Sequence, residues 1–165
     1  MIVVNDAMVL IHLAKSSLLE TTCDYFQRIV IPPLVYHEVT RGGHPDSLII
    51  KQLIQQKKIV IEKIKEVSLL QKAYEFNIQR GEAEAVALYW ELKADLLATD
   101  DDNVRKKKGL LQIRLIGTPV ILLNLYKEKR ITKNRLIEAM ALLKKAGWFA
   151  NTIWDKIQLE VENYE

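Results

Sequence analysis

One cysteine, Cys23, is all the chain has, so an internal disulfide is impossible and a thiolate zinc site is excluded. A free thiol of this kind is expected in the core, where it behaves as a small hydrophobe. No apolar run approaches the ~18 residues of a membrane-spanning helix. The opening, Met1-Ile2-Val3-Val4-Asn5, reads directly as a strand and lacks the basic n-region of a signal peptide. A cytoplasmic protein is therefore expected. There is no glycine-rich phosphate loop, and no Ser-His-Asp or Cys-His set. Repeats and low-complexity segments are also missing. Neither sign of charge dominates: a net charge of +3 permits nucleic acid as a partner without demanding it. What is left is a 165-residue chain with 49% hydrophobic residues, long enough to bury its own core.

The most informative stretch is Ala94-Asp95-Leu96-Leu97-Ala98-Thr99-Asp100-Asp101-Asp102-Asn103. An apolar run ends in three acids. It reads as a buried strand that delivers carboxylates to the carboxyl edge of a sheet, where open α/β sheets bind ligands. Three adjacent like charges need a positive partner, and a divalent cation with oxygen ligands is the usual one. The plainer reading is a helix cap, with Asp101 or Asp102 as N-cap.

The rest of the chain alternates strand and helix. Strands are expected at 2–5, rich in β-branched residues, and at 28–31, 59–61, 95–99 and 113–116. Pro32-Pro33 stops the second and opens a helix in which Leu34, Val35 and Val39 pack inward and Glu38 lies near the same face. His12 sits in an apolar helix and is read as a satisfied structural histidine. Gly81 breaks one helix and Glu82 and Glu84 occupy the first turn of the next, where acids suit the helix dipole. A basic helix, 103–108, ends at Gly109, and further helices follow at 120–126, 133–146 and 151–163. Trp148 and Phe149 lock the last helix onto the body. This pattern predicts an α/β fold with a mainly parallel sheet.

Asp6, Glu82 or Glu84, and Asp100 with its neighbours lie at strand ends or helix starts. Glu38 rides the helix after the second strand. Gathered in one pocket, these carboxylates are too much negative charge to bury empty. They suit magnesium or manganese, hard cations that take oxygen ligands and retain waters for a phosphate substrate.

Four segments carry a resemblance: Ile2-Val3-Val4-Asn5-Asp6-Ala7 with Leu10-Ile11; Ile31-Pro32-Pro33-Leu34-Val35-Tyr36-His37-Glu38-Val39; Gly81-Glu82-Ala83-Glu84-Ala85-Val86-Ala87-Leu88; and Ala94-Asp95-Leu96-Leu97-Ala98-Thr99-Asp100-Asp101. In this order they resemble the PIN domain, the fold of VapC-type toxin ribonucleases, over roughly residues 1–127, and most closely its bacterial and archaeal branch with a Gly-Glu-Ala-Glu-Ala segment. The resemblance implies a PIN-like three-layer α/β/α fold with a mainly parallel central sheet. Residues 1–130 would form the nuclease domain, and residues 131–165 a C-terminal helical extension packed on it. It implies a metal-dependent endoribonuclease that hydrolyses RNA with a metal-activated water, with Mg2+ or Mn2+ as cofactor. Asp6, Glu38, Glu82 and Asp100 would be the catalytic and metal-binding quartet, with Asp101 a further metal ligand. Glu84 is an alternative to Glu82. Met8 stands where many members carry a Ser or Thr hydroxyl. RNA, a cognate antitoxin protein and a second copy of the chain are the partners implied.

Cations must offset an acidic pocket if a polyanion is to enter it. Arg105, Lys106 and Lys107 are the expected RNA contacts; a solvated helix face is the competing reading. Two other functions compete with the nuclease. One is a degenerate PIN scaffold that binds RNA or a protein without cleaving. The other is a phosphoacceptor receiver domain, disfavoured because Asn5-Asp6 supplies one acid where two are wanted and Ile59–Ile61 ends in Glu62 rather than Asp.

Overall fold

In the computed structural model, which describes residues 1–165, five runs of mostly branched apolar residues form one sheet. They are β1 (Val3–Asn5), β2 (Ile29–Ile31), β3 (Ile59–Ile61), β4 (Leu96–Ala98) and β5 (Leu115–Ile116). The order across the sheet is β3-β2-β1-β4-β5, and every neighbouring pair is parallel. All carboxyl ends therefore share one edge. The winding direction reverses between β1 and β4, and that switch point opens the crevice where α/β sheets take ligands. Asn5 stands opposite Ala98, so β1 and β4 finish level. The Asp6 amide donates to the Ala98 carbonyl at 3.0 Å, and the Thr99 amide to the Ile116 carbonyl at 3.0 Å. Asp6 and Thr99 thus leave the sheet side by side.

Eleven helices cover the sheet: α1 (Ala7–Lys15), α2 (Leu19–Phe26), α3 (Pro33–Thr40), α4 (Pro45–Gln55), α5 (Val67–Glu75), α6 (Arg80–Leu92), α7 (Asp102–Lys106), α8 (Lys108–Leu111), α9 (Thr118–Lys127), α10 (Lys133–Ala146) and α11 (Asn151–Tyr164). Alternate strand residues serve opposite faces, as the pleat requires. Val3, Ile29, Ile31 and Ala98 enter a core with α1, α2, α3, α4, α9, α10 and α11. Val4, Val30 and Leu97 enter a second core with α5 and α6. The result is the three-layer α/β/α arrangement expected from the pattern. Cys23 is buried in the larger core. No helix is long and apolar enough to cross a membrane.

Several local expectations change. The helix preceding Gly81 already ends at Glu75, and Gly81 lies inside α6. The basic helix is two short pieces, α7 and α8, and Gly109 lies within the second. Leu34 is exposed, while Val35 and Val39 pack inward. Helices α10 and α11 share the larger core through Leu136, Leu143, Trp154, Ile157 and Val161. The Arg135 guanidinium also donates to the Ser16 carbonyl. Of the two aromatics between these helices Phe149 is buried, while Trp148 is 50% exposed and touches the body only through its His12 side.

Candidate active site

Asp6 is the first residue past β1 and the N-cap of α1. Its Oδ1 accepts from the Val9 amide at 3.0 Å, satisfying a free donor of the helix start. Its Oδ2 accepts from the Thr99 hydroxyl. The side chain is almost fully buried. Burial pushes its pKa up from 3.8 to about 7, and the charges of Asp100 and Glu82 push the same way. The two hydrogen bonds oppose this shift without cancelling it.

Glu38 and Glu82 meet on the flank of that position. Burial raises the pKa of Glu38, and the charge of Glu82 adds to the shift, against the Gly81 backbone, Arg41 and Arg80. Burial likewise raises Glu82; the α6 backbone opposes this, the charge of Asp101 adds to it, and Arg80 offsets part. Gly81 makes the approach possible. A Cβ built there would stand 2.6 Å from Glu38 Oε1. Glu84 belongs elsewhere: its Oε1 accepts from the Leu34 amide at 3.2 Å. It thereby caps the start of α3, and Glu82 is left as the acid of α6 that faces the other carboxylates.

The three acids after β4 have three different fates. Asp100 is buried, with no exposed side-chain surface. Its Oδ1 accepts from the Thr118 amide at 2.8 Å, and its Oδ2 from the Thr118 hydroxyl at 2.5 Å. His12 Nδ1 lies 2.8 Å from the same Oδ2. A carboxylate only accepts, so the histidine proton sits on Nδ1. His12 is thus the satisfied structural histidine that its apolar helix suggested. Asp101 is the N-cap of α7, accepting from the Val104 amide at 2.8 Å, and it lines the open cleft. Asp102 is exposed. Asp100, expected beside a divalent cation, has its oxygens engaged by His12 and Thr118.

Mutual repulsion therefore links Asp100 to Asp6, Asp6 to Glu82, Glu82 to Glu38, and Glu82 to Asp101. The five acids are linked pair by pair although 95 positions separate the first from the last (101 − 6). Arg105 is partly buried and lines the cleft beside Asp101. Lys106 is exposed. Lys107 Nζ donates to the Phe76 carbonyl at 2.8 Å, tying α7 to the end of α5. Sequence reasoning missed Thr99, Thr118 and Gly81. Their signals were a threonine between an apolar strand and its acids, a Gly-Thr after β5, and a glycine directly before the Glu of α6.

A family model described as a PIN domain matches residues 2–161. The chain belongs to the PIN-domain family. The match runs on through α10 and most of α11, beyond residue 127. No curated protein and no solved structure gives a match. PIN domains are commonly nucleases that act on RNA and use divalent metal ions.

The residues present fit such an ion by their chemistry. The donors these acids offer are carboxylate oxygens, and burial holds the Asp6 carboxyl up to about 7. No three acid, histidine or cysteine side chains stand together as a ready-made metal site. Magnesium asks for none. It keeps several waters, takes one or two carboxylates directly, and completes its shell with substrate phosphate.

Proposed function

We propose that this PIN domain is a magnesium- or manganese-dependent endoribonuclease of the VapC toxin type. The observation that carries the reading is the set of mutually repelling carboxylates at the switch point, with buried Asp6 at its centre. Asp6, Glu38, Glu82 and Asp101 are the side chains assigned to hold the metal. When bound, the ion supplies the acidity that turns a water into a nucleophile and the charge that neutralises the phosphate. Val9 and Thr99 orient the two oxygens of Asp6. Thr99 thus supplies from β4 the hydroxyl that Met8 lacks. Asp100, placed in the catalytic quartet on sequence grounds, becomes a positioning residue: it ties the end of β4 to Thr118 and His12. Arg105 and Lys106 draw the RNA backbone toward the acids. The toxin role adds a cognate antitoxin protein and a homodimer as partners.

Cleavage of single-stranded RNA in magnesium or manganese tests the reading. Glu82→Gln and Asp101→Asn should each lose at least about 100-fold, the upper end of what removing even an outer-shell partner of a metal ligand costs. Activity within a few-fold of the parent in both variants refutes the assignment. A second reading, a degenerate scaffold that binds RNA or a protein without cleaving, is favoured by one observation: Asp100 has both oxygens engaged within the protein. A metal titration separates the two, since a drifted site binds neither ion.

A further inference from the structure

Trp148 lies in the turn between α10 and α11, behind Gly147, whose left-handed φ of 75° swings the chain around. Half of its surface is open to solvent. Its neighbour Phe149 enters the core, and the two rings bracket His12 at centroid distances of 5.5 and 5.2 Å. His12 is in turn held by Asp100. The indole is therefore anchored along one side to the end of β4 and open on the other. The open side helps to wall a cleft of about 440 Å³, whose other walls include Asp101, Asn103 and Arg105. This volume lies in the range of small-molecule pockets. Besides the acids, its lining joins the exposed indole to a guanidinium and a side-chain amide, with Phe149, Ala150 and Ile153 beside them.

We infer that Trp148 is a stacking platform for a base of single-stranded RNA, placing the neighbouring phosphate against the carboxylates. The inference rests on the ribonuclease reading and adds a residue for holding the substrate. The cleft has the two parts that single-strand binding needs: a π-face for a base and a cation for the backbone. Asp100 to Asn103 and Arg105 make half of its lining charged or amide, whereas the apolar face of a peptide helix asks for a continuous hydrophobic groove. Single strands follow as the substrate, because a paired base has its faces occupied by stacking.

The test uses the full chain carrying Asp6→Asn, in magnesium, with a labelled oligouridylate of about ten nucleotides and a matching abasic strand. Trp148→Ala should raise Kd for the oligouridylate by about 5-fold to 100-fold, the loss of one base stack. Trp148→Phe should restore most of the affinity. Neither change should alter binding of the abasic strand or the salt slope. Indole fluorescence should be quenched by the oligouridylate and not in Trp148→Phe. Trp90 and Trp154 remain in Trp148→Phe, so any signal of theirs persists there as background. Equal loss for both strands, or no loss for either, overturns the platform, as does a failure of the oligouridylate to bind. Cleavage by the protein without Asp6→Asn is read separately. Metal-dependent cleavage with unchanged binding in Trp148→Ala sinks the platform alone. Trp148-dependent binding without cleavage sinks the nuclease alone.

Discussion

Replacing Asp6 by Asn should stabilise the metal-free protein, and by an amount that depends on pH. In the fold the carboxyl has a pKa of about 7 against an ordinary 3.8, so its charged form is disfavoured. The folded state holds a proton that the unfolded chain has lost. Stability from this group is complete below pH ~4, drains away as pH rises toward 7, and is flat above. At ~1.4 kcal/mol per pH unit the ionisation of Asp6 costs about 1 kcal/mol at pH 4.5 and about 4 kcal/mol at pH 8. Asparagine has no charge to bury. Its oxygen still accepts from Val9, and its amide can donate to the Thr99 hydroxyl, which turns its own proton elsewhere. Urea unfolding of both proteins in a chelator, at the two pH values, measures the difference. The advantage of Asp6→Asn should grow by about 3 kcal/mol between them, any constant offset cancelling. Adding magnesium at pH 8 should narrow the gap, because the wild-type acid then gains binding energy that the amide does not. An advantage equal at both pH values would refute the claim that Asp6 is an uncompensated buried charge.

Gly81→Ala should leave the fold intact, gaining up to about 1 kcal/mol of helix propensity, while displacing the Glu38 carboxylate and lowering cleavage. Wild-type cleavage in that variant would remove Glu38 from the site. Asp100→Ala should cost about 3 kcal/mol in urea unfolding, because the Thr118 amide and hydroxyl and His12 lose their shared acceptor; a change below about 1 kcal/mol would count against the positioning role. For RNA binding over a salt series, the double variant Arg105→Ala, Lys106→Ala should lower the slope of log affinity on log salt by about 1.4, or ~0.7 for each phosphate that is no longer neutralised. Lys107→Ala should leave the slope alone, since its ammonium is held by Phe76; the opposite ranking would reverse these assignments.

Much of the architecture is legible in the chain. Val3-Val4, Ile29-Val30-Ile31 and Leu96-Leu97-Ala98 are apolar on both faces, and only a sheet covered by helices on both sides buries such strands. Parallel pairing then sends every strand's carboxyl end to one edge, so Asp6 and the acids after Ala98 had to share that edge; the pairing of β1 with β4 makes them neighbours. What the chain does not show is the direction of a single side chain among adjacent candidates. Glu82 and Glu84 are ~200° apart around a helix, and only the packing of α6 against α3 decides that Glu84 caps Leu34 while Glu82 faces the other acids. Asp100 and Asp101 are one residue apart. It takes Thr118, after β5, and His12, in α1, to turn Asp100 inward and leave Asp101 as the acid at the opening. The hydroxyl beside Asp6 comes from Thr99, which lies 93 residues away along the chain. Local propensity and periodicity set which elements form and which ends they share. The orientation of each functional group comes from hydrogen bonds to distant residues, and those exist only once the tertiary structure has brought the partners together.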